Sequence, residues 1–297
     1  MKRQRLFWTV ALFLGLTLPS LAQETIGPAT GEALSLKAVD VGHLESFTIS
    51  NSMIVTWIVA LGLILFALSA TRHMKAVPEG VQNFWEWVIE SLYVFLESFM
   101  DGALVRKTFW LFATIFIFVL ASSWFSLLPG VGSIGWGIAT AHGFQLTKPL
   151  LRGNTADLNM TLAISMLFFF CWIVWAWQSQ GPIGVVLHIF GPKGDTRGML
   201  RILLIAVFIA VGFLEIVSIL FRPVSLSLRL FGNMYAGEDM LEVMTRLMPS
   251  LSWVLPVPLY FMEVMVGFVQ ALVFMLLTAV FTLLVCQHEE QPVAAAH

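Results

Sequence analysis

Charge is scarce in this 297-residue chain: 11% of residues are Asp, Glu, Lys or Arg, less than half of the roughly 25% usual in soluble domains. A surface facing water on all sides needs more charge than this, so a soluble enzyme or binding module is excluded. Neither sign dominates, with 16 Lys and Arg against 18 Asp and Glu and a net charge of -2, so nucleic acid is not an expected partner. Cysteine is nearly absent. Cys171 and Cys286 are the 2 present; they lie in separate apolar runs with no CxxC, which argues for small core residues rather than a disulfide or a metal pair. The 6 histidines are scattered and make no metal-ligand spacing. No metal or cofactor is expected. The Gly-Pro-Lys-Gly run at 191–194 lacks the Walker spacing and a following Ser or Thr, so it is a turn signal and the chain carries no catalytic nucleotide site of its own.

What fills the chain instead is apolar: 58% of residues are hydrophobic. Several runs reach the length a helix needs to cross a bilayer. They are too long and continuous for a barrel's alternating strands. The expected fold is an all-α polytopic membrane protein with about five membrane-embedded helices plus an interfacial one.

The chain opens with Met-Lys-Arg-Gln-Arg, an apolar stretch, and small residues at Ser20 and Ala22. This pattern predicts a signal peptide over 1–22, cleaved near Ala22, with an uncleaved anchor as the alternative. Residues 23–49 are mixed and polar, an expected external segment, partly helical. A span is expected at 50–70, with the basic flank Arg72-His73-Met74-Lys75 on the cytoplasmic side. Residues 79–101 interrupt their apolar pattern with Glu79, Glu86, Glu90, Glu97 and Asp101, which suits an interfacial or packed helix better than a full span. Further spans are expected at 108–128 and 157–177, separated by a Gly-rich external loop, with Asn154 or Thr155 as the helix cap. The basic loop at 178–201 should be cytoplasmic, and Val185–Gly191 within it reads as a short interfacial helix.

Residues 202–247 then run almost unbroken. As a helix they would reach about 69 Å, against a hydrocarbon core of about 30 Å, so the element must tilt, kink or break. Pro223 is the expected kink. A last apolar stretch, 257–286, precedes a cytoplasmic tail at 287–297. With an external N-terminus and five crossings, the C-terminus is cytoplasmic.

The long stretch holds Glu215, Arg222, Arg229, Asn233 and Glu238. Charge in hydrocarbon costs from about 2.5 to over 10 kcal/mol per group. Residues 215, 222, 229 and 233 are separated by seven, seven and four positions, so on a helix they share one face. Glu263 and Gln270, seven apart, do the same on the last element. Snorkelling accounts for the arginines alone. A path of titratable groups with a fixed charge in it accounts for the set, because an arginine does not deprotonate and carboxylates do. Asp157, at the mouth of a span, is either a cap or part of a wet entrance.

The run Pro223-Val-Ser-Leu-Ser-Leu-Arg-Leu-Phe-Gly-Asn-Met-Tyr-Ala-Gly-Glu238 resembles the signature of the subunit a family of F-type ATP synthases. Ser122–Gly130, Thr155–Ala163, Phe213–Ser225 and Phe268–Phe281 also match the family pattern, and the likeness extends over about residues 43–286. The resemblance implies a stator subunit in a bacterial inner membrane. It would lie beside a ring of c subunits, with b subunits of the peripheral stalk, the other subunits of the complex, and lipid as partners. The last two helices would be strongly tilted, and protons would reach the ring through two half-channels. Arg229 falls on the family's essential arginine, and Asn233 and Gln270 on polar positions near it. Glu238 and Glu263 fall on the outer path, where some relatives carry histidine at the position of Glu263. Glu215 falls on the cytoplasmic exit, and Asp157 and Arg222 are secondary positions. Activity would then belong to the whole complex. The signal-like N-terminus and the loop at 131–153 depart from the family pattern. A sodium-coupled version of the same subunit, an independent secondary transporter and a transport-free scaffold are the competing readings. No inverted repeat supports the transporter, and a scaffold has no need of buried charge.

Overall fold

The computed structural model describes residues 40–44, 47–72, 74–128, 131, 134–140, 143–190, 200–247 and 254–286. The signal-like segment, the turn at 191–194 and the tail at 287–297 lie outside these residues. Apolar runs in this chain become helices because only a helix satisfies its own backbone in lipid. Six are described: α1 (Asn51–Thr71), α2 (Val81–Glu97), α3 (Gly102–Ser126), α4 (Leu158–Phe190), α5 (Leu200–Leu247) and α6 (Val257–Cys286). Five of them contain stretches long and apolar enough to cross a membrane, and α2 is the exception. The chain is a multi-pass all-α membrane protein.

Two short antiparallel hairpins accompany the helices: β1 (Asp40–Leu44) with β2 (Phe47–Ser50), and β3 (Gly135–Thr140) with β4 (Gly143–Pro149). The described part of the 23–49 segment is therefore a hairpin and not a helix. Its Ile49 is a β-branched residue of the kind that a pleated strand accommodates.

Local chemistry sets the helix ends. Asp101 caps α3, its carboxylate accepting from the Ala103 amide at 3.0 Å, so the helix starts before the apolar run does. Asp157 caps α4 by accepting from the Asn159 amide at 3.0 Å. The expectation of a cap at Asn154 or Thr155 is thus corrected: those residues lie one turn too early and have other surroundings. Within α4 the backbone leaves helical geometry at Gly181 (φ 69°, ψ 168°), a conformation a side chain would strain. The α5 helix runs 48 residues with Pro223 inside it. A straight helix of that size is about 72 Å long, more than twice the hydrocarbon thickness, so it cannot stand upright across a bilayer.

Lipid offers no hydrophobic drive for helix association, so packing and small residues must supply it. The centre of the bundle has Phe112 of α3, Leu230 and Met234 of α5, and Phe274 and Met275 of α6 at or below 1% exposure. Phe112 meets Trp175 of α4 edge-on at 5.9 Å. Indole donors tie the helices together, Trp124 to the Val264 carbonyl at 3.2 Å and Trp172 to the Phe281 carbonyl at 3.0 Å. Ser123, Ser165 and Thr282 are fully buried and bond carbonyls one turn back in their own helices. Their hydroxyls are satisfied locally, so they serve as small interface residues and not as a polar path.

One end of the bundle gathers the start of α1, the end of α3, the start of α4 and the β3–β4 hairpin. The Ser52 hydroxyl on α1 donates to Asp157, which holds this end together. The opposite end carries Arg72, Lys75, Arg106 and Lys107. There Gln180 of α4 donates to the Val285 carbonyl of α6 at 2.6 Å.

Candidate functional site

Helical periodicity splits α5 into two faces. Pro223, Leu226, Ser227, Leu230, Met234 and Leu241 turn inward and are buried. Ser225, Leu228, Arg229, Gly232, Asn233 and Ala236 turn outward and are exposed. Arg229 thus sits on the exposed face of α5. Among the described residues it has no ion pair and no hydrogen bond. Ser225, Gly232 and Ala236, within a turn or two of it, lower the surface and leave room for a neighbouring helix to approach closely.

One turn beyond Arg229, the Asn233 amide nitrogen donates to the Gln270 side-chain oxygen at 2.8 Å. Gln270 is buried on α6 at 5% exposure. The two amides come from positions 37 apart in the chain and bridge the two helices beside the arginine.

Glu238 and Glu263 meet at the hairpin end. The Glu263 side chain is 5% exposed and lies so close to the Gly237 backbone that a Cβ there would overlap its carboxyl group. Glu238 has the same relation to Gly153, where a Cβ would also run into the Ser126 side chain. The two carboxylates act on each other electrostatically, and the Arg152 guanidinium acts on Glu238 as well. Oε1 of Glu238, Oε1 of Glu263, Oδ1 of Asn154 and Oγ1 of Thr155 are all buried without a protein hydrogen-bond partner. Buried oxygens ordinarily find a donor in protein or water. Water is the donor that fits a polar space of this kind.

The remaining candidates separate. Arg222 does not lie free in a polar stripe with Arg229. Its guanidinium stands over Phe281 at 4.5 Å and Trp172 at 5.8 Å, between α4 and α6. Such contacts contribute about 0.5–2 kcal/mol. Arg222→Met keeps the length and drops the charge, and is expected to lower the thermal stability of the assembled subunit by about 1 kcal/mol while leaving transport largely intact. A melting curve and a transport assay on the same membranes check this, and transport lost outright would give Arg222 a direct role. Glu215 is half-buried, seven positions before Arg222 on α5 and within its electrostatic reach. It lies 14 residues, about 21 Å of helix, from Arg229, whereas Glu238 lies nine residues, about 14 Å, on the other side. Asp157 has one oxygen on the α4 cap and the other on Ser52, so its contacts are those of a structural tie.

Arg152 is the residue that sequence reasoning missed. It is 5% exposed, although it falls in a loop rich in glycine. Its one signal was position, three residues before the stretch Thr155–Ala163 that matches the family pattern.

Comparison with known proteins gives the family. The family described as "ATP synthase A chain" matches residues 53–282. The chain is similar to "ATP synthase subunit a" of Trichlorobacter lovleyi, with 33% identity over 248 residues, 84% of this chain and 92% of the relative. It is also similar to "ATP synthase subunit a 1" of Pelobacter propionicus, with 35% identity over 232 residues, covering 78% and 86%. "ATP synthase subunit a" of Gloeobacter violaceus shares 33% identity over 250 residues, covering 82% and 89%.

Proposed function

Since the chain belongs to the ATP synthase A chain family, we propose that it is the proton-conducting stator subunit of a rotary ATP synthase, passing protons to and from carboxylates on a c-subunit ring. The observation that carries this reading is the placement of Arg229: exposed, without a partner among the described residues, and flanked along α5 by Glu215 on one side and the Glu238–Glu263 pair on the other. A cation turned toward hydrocarbon costs about 2.5 kcal/mol or more. A ring carboxylate arriving in its charged form would offset that cost and its own, and the tie would then have to break as the ring moves on.

Two aqueous paths follow from this placement. One reaches the ring through the Glu238–Glu263 pair at the hairpin end, where the orphaned acceptors support hydration. The other leaves past Glu215 at the end that carries Arg72, Lys75, Arg106 and Lys107. The basic end faces the cytoplasm by the positive-inside rule, which makes the hairpin end external in a bacterial inner membrane. Arg229 stands between the paths as a charge that cannot deprotonate, so a proton crosses only by riding the ring. A full transmembrane potential adds about 2.3 kcal/mol per charge per 100 mV to the drive.

Glu238→Gln and Glu263→Gln each remove a titratable oxygen while keeping its size. Each alone is expected to slow ATP-driven acidification of inverted membrane vesicles, in sodium-free buffer, by about tenfold or more, below the roughly 100-fold that a lost proton-transfer group ordinarily costs because the other carboxylate remains. Unchanged rates in both variants would place the outer path elsewhere, and pumping that requires added sodium would replace protons by sodium as the coupling ion.

A further inference from the structure

Arg152 has no part in the function proposed above, yet it is a buried cation in a loop. Charged side chains are almost never fully buried without compensation. The loop that holds it is pinned: Asn154, fully buried, donates from its amide nitrogen to the Ser122 hydroxyl of α3 at 3.0 Å. Ser126, one turn further along α3, meets Gly153 directly. The backbone between these two anchors presses on the Glu238 carboxyl, since any Cβ at 153 would overlap Glu238 Oε1. The residue immediately before that contact is Arg152, and the charge of its guanidinium reaches Glu238.

We propose that Arg152 is a positioning residue of the outer proton path, holding the Glu238 carboxylate against the Gly153 backbone and balancing one of the two charges of the Glu238–Glu263 pair. The proposal rests on the reading of that pair as part of the outer path. Two carboxylates and one guanidinium carry one net negative charge, so the group is neutral when it holds a single proton. That proton can sit on either carboxylate, and passing it on restores the charged form. Without Arg152 the same pair would hold two negative charges in a buried space, a far costlier state.

The test uses the whole complex in inverted vesicles, with pumping normalised to the amount of assembled subunit. Arg152→Gln is expected to slow ATP-driven pumping by about tenfold, short of the roughly 100-fold that an ångström of misplacement can cost. Arg152→Lys, which keeps the charge, should recover most of the rate. Adding Arg152→Gln to Glu238→Gln should slow pumping little beyond Glu238→Gln alone, because the residue acts through that carboxylate. Parental pumping in Arg152→Gln, no recovery in Arg152→Lys, or full multiplicative loss in the double variant would each overturn the proposal. Should Arg152→Gln not assemble, Gly153→Ala tests the same contact with the charge intact: pumping should fall and then recover when Glu238→Asp and Ser126→Gly together clear both side chains that the added methyl meets. Absence of that recovery also overturns it. Arg229→Ala run in parallel separates the two readings. If it pumps, the outer-path assignment fails; if it does not pump while Arg152→Gln does, only the role of Arg152 fails.

Discussion

Arg229→Ala is expected to abolish ATP-driven proton pumping in inverted vesicles while the subunit still assembles. The two halves of this expectation have separate causes. Assembly survives because the side chain lies on the exposed face of α5, and among the described residues no hydrogen bond or ion pair is lost with it. The neighbours that hold α5 in the bundle, Leu226, Leu230 and Met234, are on the opposite face and untouched. Pumping fails because a ring carboxylate then has to ionise beside hydrocarbon with no counter-charge. Even at the low estimate of about 2.5 kcal/mol for that cost, the step slows roughly 70-fold, and higher estimates stop it altogether. The two aqueous paths also lose the charge that separates them, so passive proton leak through membranes stripped of the soluble sector should rise. Arg229→Lys keeps the sign but trades a planar, weakly hydrated fork for a hydrated point charge, and should pump far below the parent. Acidification followed with a pH-sensitive dye, alongside immunodetection of the subunit, decides the matter. Parental pumping in Arg229→Ala would sink the proposed function.

Gly237→Ala carries the second large effect, through a contact no charge pattern displays. The added methyl lands on the Glu263 carboxyl group. Glu263 is buried at 5% exposure, so it has little space to yield. The carboxylate must move by on the order of an ångström, a displacement that can cost about 100-fold in a reaction that depends on position. Alanine is a better helix former than glycine by about 1 kcal/mol, so the helix itself gains and a loss of transport cannot be blamed on a weakened α5. Glu263→Asp withdraws the carboxyl by one methylene and should restore part of the rate in the double variant. The measurement is the initial rate of ATP-driven acidification in parent, single and double variants. A Gly237→Ala protein that pumps normally would mean that Glu263 has freedom the packing denies it, or stands off the path.

Much of the architecture was legible before any coordinates. Apolar runs of membrane-spanning length admit only a few structures, and the 202–247 run was too long to stand upright whatever its neighbours. The resemblance carried by residues 223–238 agrees with the family match over 53–282. Less legible were features that depend on a partner far along the chain. The α4 cap moved from Asn154 or Thr155 to Asp157 because Asn154 bonds Ser122, 32 positions away, and Asp157 also bonds Ser52, 105 away. The polar stripe on α5 came apart for a similar reason. Arg222 and Arg229 share a helical face by spacing, yet Trp172 and Phe281 draw one guanidinium inward and, among the described residues, none draws the other. Nothing in the spacing of the Gly-rich loop shows that its backbone at Gly153 lies against Glu238.

The sequence settled what periodicity and length can settle: a multi-pass helical membrane protein, its helices too apolar for water, with Arg229, Asn233 and Glu238 on one of them and Glu263 and Gln270 on another. Spacing states which residues share a face, but not what that face meets. Only the packed fold decided that Arg229 faces outward without a partner, that Asn233 reaches Gln270, and that Glu238 rests on Gly153 beside Arg152. These are contacts between elements distant in sequence. They arise when large and small side chains from separate helices fit together, and no local pattern encodes that fit.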